Sequence, residues 1–141
     1  MRLALLIFCL CIPNLAWSTE ARLTLKNIIF DVEIAISHQE RKQGLAGRKT
    51  LANNKGMLFI YSAPNIISFW MKDTLIPLDI LFFDKNGRLL EIVHNAPPCK
   101  KNPCKKYTNK TPATFVLEIT AGLAKKYSFA PGDIFTTILH P

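Results

Sequence analysis

Apolar residues occur along this chain in short runs of strand length, separated by turn-forming residues. Val32, Ile34 and Ile36 alternate with more polar neighbours, a pattern typical of a half-buried strand. Residues 78–83 are apolar at nearly every position, which indicates a strand buried on both faces. Similar runs predict further strands at residues 56–61, 66–71, 89–93, 114–119 and 134–139.

Turn-forming residues predict how these strands connect. The tetrapeptide Ser62-Ala63-Pro64-Asn65 is expected to turn the chain between strands 56–61 and 66–71. Asp84-Lys85-Asn86-Gly87 is expected to form a tight hairpin turn, with Gly87 free to take a positive φ. Residues 94–111 are polar and proline-rich, and they are predicted to form one long loop.

Two short helices are expected between the strands. Ser37 and Glu40 have the spacing of a capping box, which predicts a helical turn after Ser37. Thr120 is expected to cap a second helix that continues through Lys126. The predicted fold is therefore mainly β, a single antiparallel sandwich or barrel with two short helices.

The N-terminal residues 1–18 have the order of a secretory signal peptide. Arg2 precedes an apolar run over residues 3–12, and Ala16-Trp17-Ser18 places small residues at a cleavage site before Thr19. A membrane anchor is the alternative, but this run is shorter than the ~20 residues that span a bilayer. We therefore expect export to the periplasm or the exterior, with no transmembrane anchor after cleavage and residues 19–141 as a single β-rich domain.

Composition is that of a basic globular protein. The chain is 49% hydrophobic and 20% charged, and its formal net charge is +8. A basic exported protein is expected to meet an anionic envelope component or a small polar ligand, and nucleic acid is not expected as its partner. Phosphate loops, dinucleotide fingerprints and nucleophile-elbow motifs are absent from the sequence, and no cofactor is predicted.

Cys99 and Cys104 are the two cysteines that remain after the predicted cleavage. In an oxidising compartment such a close pair most simply forms a disulfide. A metal site is the alternative, although two thiolates without a nearby histidine or carboxylate supply only half of a ligand set. We predict the disulfide and no metal site.

Lysines are concentrated around these cysteines. Such a density of positive charge attracts anions, including lipid headgroups, anionic glycans and acidic proteins. A solvated loop that only aids solubility is the alternative interpretation. The lysines of this candidate anion-binding loop are Lys100, Lys101, Lys105, Lys106 and Lys110.

Several strings of residues together resemble a known family. They occur in order as Arg41-x-x-Gly44-Leu45, Gly56-Met57-Leu58-Phe59, Phe69-Trp70-Met71-Lys72-Asp73-Thr74 and Pro77-Leu78-Asp79-Ile80-Leu81-Phe82. The resemblance is to the bacterial and archaeal family named domain of unknown function 192, and it covers about residues 23–139. It implies a small jelly-roll-like β-domain, often exported, with no established activity. Ala46 and Asp73 stand where the family usually has Met and Asn, which weakens any proposal of soft-metal binding here.

Two carboxylates lie within otherwise apolar strands. Asp79 and Glu118 should be paired or neutral, because an unpaired buried charge costs several kcal/mol. Arg41 and Arg48 are the expected partners, in a salt-bridge network that holds the segment 41–48 on the sheet. The alternative is that the two carboxylates act as acid and base, or bind a ligand.

Trp70 is expected on the more polar face of its strand, where it could line a cleft. Beside Asp73 and Asp79, its ring would suit a sugar-like ligand; a tryptophan in the core or at its rim is the alternative. The predicted cleft residues are Arg41, Arg48, Trp70, Asp73, Asp79 and Glu118. The first functional hypothesis is an exported, non-catalytic accessory or ligand-binding domain, and the second is a carboxylate-dependent hydrolase of an envelope glycan.

Overall fold

The computed structural model describes residues 20–139, which form nine strands and two short helices. The predicted signal peptide, residues 1–18, lies outside the described residues. In chain order the elements are β1 (Glu20–Leu25), β2 (Ile28–Ala35), α1 (His38–Gln43), β3 (Lys55–Asn65), β4 (Ser68–Trp70), β5 (Leu78–Phe83), β6 (Leu89–Ala96), β7 (Lys106–Thr108), β8 (Ala113–Thr120), α2 (Leu123–Lys126) and β9 (Phe135–Leu139). No helix within this range is long and apolar enough to cross a membrane.

Seven of the strands form one mixed sheet in the order β6-β5-β8-β3-β2-β1-β9. Neighbouring strands are antiparallel except β2 and β3, which run parallel with Val32 opposite Gly56. Parallel neighbours need a crossover connection, and the segment that contains α1 supplies it. The predicted mainly β class with two short helices is confirmed, and the expected antiparallel arrangement holds for every pair of this sheet except β2 and β3.

The two edge strands of the sheet, β6 and β9, approach each other at one end. Arg88 and Ile134 form an isolated antiparallel bridge there, and the N–H of Phe135 donates to the carbonyl of Gly87 at 3.0 Å. The ladder does not continue along the two strands, so the sheet curls without closing into a barrel.

β4 and β7 form a separate two-stranded sheet. We expected 56–61 and 66–71 to pair around a turn at 62–65, and this prediction is wrong: β3 continues to Asn65, which pairs with Ala113 on β8. The buried Asn109 holds the alternative arrangement in place. Its side-chain nitrogen donates to the Asn65 carbonyl at 2.9 Å, and its side-chain oxygen accepts from the Ile67 N–H.

The large sheet separates two apolar clusters, and α2 packs with one of them while the small sheet of β4 and β7 covers the other. The first cluster, here called the inner core, includes Leu23, Phe30, Leu58, Leu81, Leu117, Ala124 and Phe129. The second, the outer core, includes Met57, Phe59, Phe69, Ile80, Phe82 and Val116. Every residue of β5 is buried, as its apolar run predicted, because it has a core on each face.

Sequence predictions for the helices and the long loop are partly confirmed. Ser37 and Glu40 form the expected capping box at α1. Gly122, rather than Thr120, precedes α2, and the Thr120 hydroxyl instead donates to the Leu51 carbonyl at 3.0 Å. The predicted loop 94–111 is shorter than expected, because β6 extends into it and β7 forms within it.

The disulfide predicted between Cys99 and Cys104 is present. Its loop is fastened to the residue that follows β4, since the N–H of Cys99 donates to the carbonyl of Met71 at 3.2 Å. The segment just after β4 and the disulfide loop are therefore neighbours in space.

Candidate functional site

A cleft of about 440 Å³ opens between α1, the small β4–β7 sheet and the outer-core face of the large sheet. Its lining includes four basic side chains, those of His38, Arg41, Lys42 and Lys72. Glu118 is the one acidic residue in its lining, within the described part of the chain. Hydroxyl groups of Tyr61, Ser68 and Thr74 and the apolar surfaces of Leu45, Phe59 and Trp70 complete the walls.

Glu118 lies on β8 directly between two apolar neighbours. The strand registers set it opposite Met57 of β3 on one side and Ile80 of β5 on the other. The residue is only 5% exposed, and no hydrogen bond to its carboxyl group forms among residues 20–139. Burial raises the pKa of the Glu118 carboxyl from its ordinary value of 4.5 to about 8. At neutral pH the group is therefore mostly protonated and can donate a hydrogen bond.

Arg41 forms the wall of the cleft on the α1 side. Its Nη1 donates to the carbonyls of Ile36 and Ile60, the latter at 3.2 Å, which fixes the end of α1 against β3. Its guanidinium carbon lies 4.6 Å from the centre of the Tyr61 ring. Burial raises the pKa of the Tyr61 hydroxyl, so this group stays a neutral donor. Gly44, which ends α1 with a φ of +47°, also lines the cleft and keeps this wall clear of a side chain.

Trp70 lines the opposite wall of the cleft. Strand alternation buries Phe69 and Met71 in the outer core and turns Trp70 outward, leaving it 47% exposed. The Nζ of Lys72 lies 5.6 Å from the centre of the Trp70 ring. An aromatic surface and a positive charge are thus presented together at the rim.

Two of the predicted cleft residues, Asp73 and Arg48, lie beside this cleft instead of lining it. Asp73 lines a neighbouring groove with Trp70 and Lys72. Arg48 lies in a different groove, where both of its terminal nitrogens bond Glu33, with Nη2 and Oε2 2.6 Å apart. Bonding to Glu33 raises the pKa of the Arg48 guanidinium.

Asp79 lies on the other side of the sheet from the cleft. Asp79 opposes Ile119 and Glu118 opposes Ile80, so strand alternation sends the two carboxylates to opposite faces. Asp79 is 0% exposed, and its two oxygens accept the backbone N–H groups of Asn95 at 2.8 Å and Ala124 at 2.9 Å. The prediction of an arginine partner for Asp79 is therefore wrong, because backbone N–H groups of β6 and α2 bind the carboxylate instead.

All five lysines of the candidate anion-binding loop are exposed. The register of β4 and β7 sets Lys106 directly opposite Trp70, so these two side chains share one face of the small sheet. Lys105 lies over the ring of Tyr107, 5.0 Å from its centre. Across residues 20–139, no three histidine, cysteine or acidic residues come together in a way that could hold a metal ion.

Sequence reasoning overlooked Tyr61 and Lys72 as lining residues. Both could have been predicted from strand alternation, because Tyr61 is two residues beyond Phe59 on β3 and Lys72 is two residues beyond Trp70. His38 and Lys42 carried no comparable signal, because their position over the cleft depends on how the crossover segment packs against the sheet.

A family model matches this chain over residues 21–137, nearly the whole of the described range. The model is that of the DUF192 family, whose description is "Uncharacterized ACR". The chain belongs to this family. None of the curated proteins matches it significantly.

Two crystal structures are similar to this DUF192 domain. A protein of Sinorhizobium meliloti, provisionally described as a transcription regulator, is 31% identical with a TM-score of 0.79, and the match covers 85% of this chain and 95% of that one. A protein of unknown function from Novosphingobium aromaticivorans is 33% identical with a TM-score of 0.75, with 83% of each chain covered. The family and the fold are therefore shared, and neither description states a ligand.

Proposed function

We propose that this domain is an exported, non-catalytic binding domain whose cleft holds a small anionic ligand bearing hydroxyl groups. The observation that carries the proposal is Glu118, a buried carboxyl group that lines the cleft without a hydrogen-bond partner within residues 20–139. The Glu118 carboxyl oxygens are not fully enclosed, so their hydrogen-bonding capacity is open to a ligand atom that reaches them from the cleft.

The charges around the cleft favour an anion. His38, Arg41, Lys42 and Lys72 line it, and Nη1 is the one guanidinium nitrogen of Arg41 that forms a hydrogen bond within the described chain. The remaining guanidinium donors can serve a carboxylate or phosphate group, which Arg binds in two-point fashion. The ligand's charged group would accordingly face the basic wall.

The base of the cleft favours a neutral polar group on the same ligand. A protonated Glu118 can both donate to and accept from a hydroxyl group, and Tyr61 offers a second neutral hydroxyl. Trp70 presents a ring on which the apolar face of a sugar can stack. Sugar acids and sugar phosphates combine these features.

A glycan hydrolase is less well supported. Hydrolysis of this kind uses two carboxyl groups ~5–10 Å apart on either side of the scissile bond. Asp79 lies across the sheet from Glu118 and is fully buried, so it cannot reach a ligand in the cleft.

Transcription regulation, the role provisionally given to the S. meliloti protein, also finds little support in this chain. The two described helices have six and four residues, which is too short for a recognition helix in a DNA groove. A small-molecule ligand therefore remains the better match to the cleft.

Binding of glucuronate and of glucose 6-phosphate, with glucose as the neutral match, tests the proposal. The indole N–H signal of Trp70 in NMR spectra reports occupancy of the cleft. We expect the anionic sugars to shift this signal at concentrations where glucose does not, and Lys72→Gln to weaken their binding about tenfold.

Two substitutions of Glu118 separate hydrogen bonding from shape. Glu118→Gln keeps a donor and should retain binding, whereas Glu118→Leu removes every polar atom and should abolish it. Arg48→Gln, in the neighbouring groove, is the control and should leave binding unchanged. The proposal fails if neither anionic sugar is preferred over glucose, or if Glu118→Leu binds as well as wild type.

A further inference from the structure

The outward face of the small β4–β7 sheet combines apolar and basic side chains. Ile66, Trp70 and Lys72 alternate outward from the β4 side, and Ile66 is 56% exposed. Trp70 opposes Lys106, and the same register continued by two residues sets Ile66 beside Lys110. Each large apolar side chain therefore has a lysine next to it.

The disulfide loop extends this face with more positive charge. The Cys99 N–H donates to the Met71 carbonyl, which brings the exposed Lys100 and Lys101 to the Trp70 end of the small sheet. Segments 66–72 and 99–110 together contain six lysines and no acidic residue. None of these lysines forms an ion pair with a carboxylate among the described residues.

We propose that this face, residues 66–72 with 99–110, docks the protein on an anionic lipid surface. Its charge is complementary to acidic headgroups, and Trp is the side chain favoured at the boundary between headgroups and acyl chains. Ile66 decides between a membrane and a soluble polyanion. An exposed aliphatic side chain contributes little to binding an acidic glycan, whereas it gains by entering the apolar layer of a bilayer.

Docking in this way presents the cleft to the membrane surface. Trp70 and Lys72 belong both to the docking face and to the rim of the cleft. The docking proposal does not depend on the cleft's ligand, because Ile66, Lys106 and Lys110 lie outside the cleft lining. Either proposal can fail while the other stands.

Sedimentation with vesicles of phosphatidylcholine alone, and of an equal mixture with phosphatidylglycerol, tests docking. We expect wild type to bind the mixed vesicles at least about tenfold more strongly, with the difference lost at high salt. The double variant Lys106→Glu/Lys110→Glu should lose about tenfold in binding, and Ile66→Ser about threefold. All forms share the same N-terminal residues, so differences among them report the docking face.

Lys125→Glu/Lys126→Glu on α2 is the matched control, with the same change in net charge at exposed positions elsewhere. It should bind mixed vesicles within about twofold of wild type. An equal loss in both double variants would mean that net charge alone drives binding, and would overturn the proposal. If charge reversal at Lys106 and Lys110 weakens binding but Ile66→Ser does not, Ile66 does not enter the bilayer and the membrane proposal is wrong.

Discussion

Two buried carboxyl groups, one on each face of the same sheet, have contrasting surroundings. Asp79 faces the inner core, where both of its oxygens accept backbone N–H groups. Glu118 faces the outer core and the cleft, between Met57 and Ile80, and has no such donor within residues 20–139. The first arrangement stabilises the native fold, and the second leaves hydrogen-bonding capacity for a ligand. Burial alone therefore does not separate a structural carboxylate from a functional one; the donors around it do.

The largest expected effect follows removal of the Asp79 carboxylate. Asp79→Ala removes the acceptor of the buried Ala124 N–H and of the partly buried Asn95 N–H, and should lower the free energy of unfolding by about 2–4 kcal/mol. Asp79→Asn should also destabilise, because its amide group turns a donor toward one of these N–H groups. Urea unfolding measures both, with Asp73→Asn as control, because Asp73 is exposed and Asn tolerates its positive φ. A loss below about 1 kcal/mol for Asp79→Ala would contradict the structural role.

The raised pKa of Glu118 should make the free energy of unfolding depend on pH. Its pKa is 4.5 in the unfolded chain and about 8 when buried, so between these values the native state binds more protons. The free energy of unfolding should therefore fall as pH rises through this window, with a slope approaching about 1.4 kcal/mol per pH unit. Below 4.5 and above about 8 this contribution should be constant.

Glu118→Gln removes the titrating group and should remove this slope. Urea unfolding of wild type and variant at about pH 5 and about pH 8 measures the difference. The stability of the variant relative to wild type should be greater at the higher pH. Glu20→Gln, at an exposed strand end, serves as control. Parallel pH profiles for wild type and Glu118→Gln would show that Glu118 is not buried as described.

The smallest effect is expected at Arg48. Its ion pair with Glu33 is partly exposed, so Arg48→Gln should cost only about 0.5–1 kcal/mol, and less at high salt. Thermal unfolding at two salt concentrations measures this. A loss above about 3 kcal/mol would mean that Arg48 neutralises a buried carboxylate after all, as the sequence had led us to expect.

The sequence predicted Asp79 as a buried group in need of a partner, but not the partner's identity. The strand 78–83 is apolar on both faces, which requires burial and therefore compensation. Arginines were expected because side-chain charges can be read from a sequence. Every residue except proline has a backbone N–H group, so the sequence does not single out those of Asn95 and Ala124 as donors. Their position depends on a bend of β6 and on the placement of α2 beside β5, which no local pattern encodes.

Strand pairing shows the same difference between what a local sequence pattern predicts and what depends on distant segments. Alternation and turn chemistry predicted β5, its hairpin with β6 and most of β8, because these contacts are local or depend on one segment's own burial. β1 was overlooked, and β4 was assigned to the wrong neighbour. The pairing of β4 with β7 joins segments nearly forty residues apart, and it depends on Asn109 and on Phe69 packing against Phe59 and Phe82.

By itself, the sequence determined a mainly β domain of the DUF192 family, a disulfide at Cys99 and Cys104, a fully buried strand and a carboxyl group within it. Only the tertiary structure decided which face each carboxyl group occupies relative to its neighbours, and that Glu118, Arg41 and Trp70 meet in one cleft while Asp79 and Arg48 do not. The physical reason is that alternation gives a side chain's face only within its own strand. Which core, donor or cleft lies beyond that face depends on segments distant in sequence.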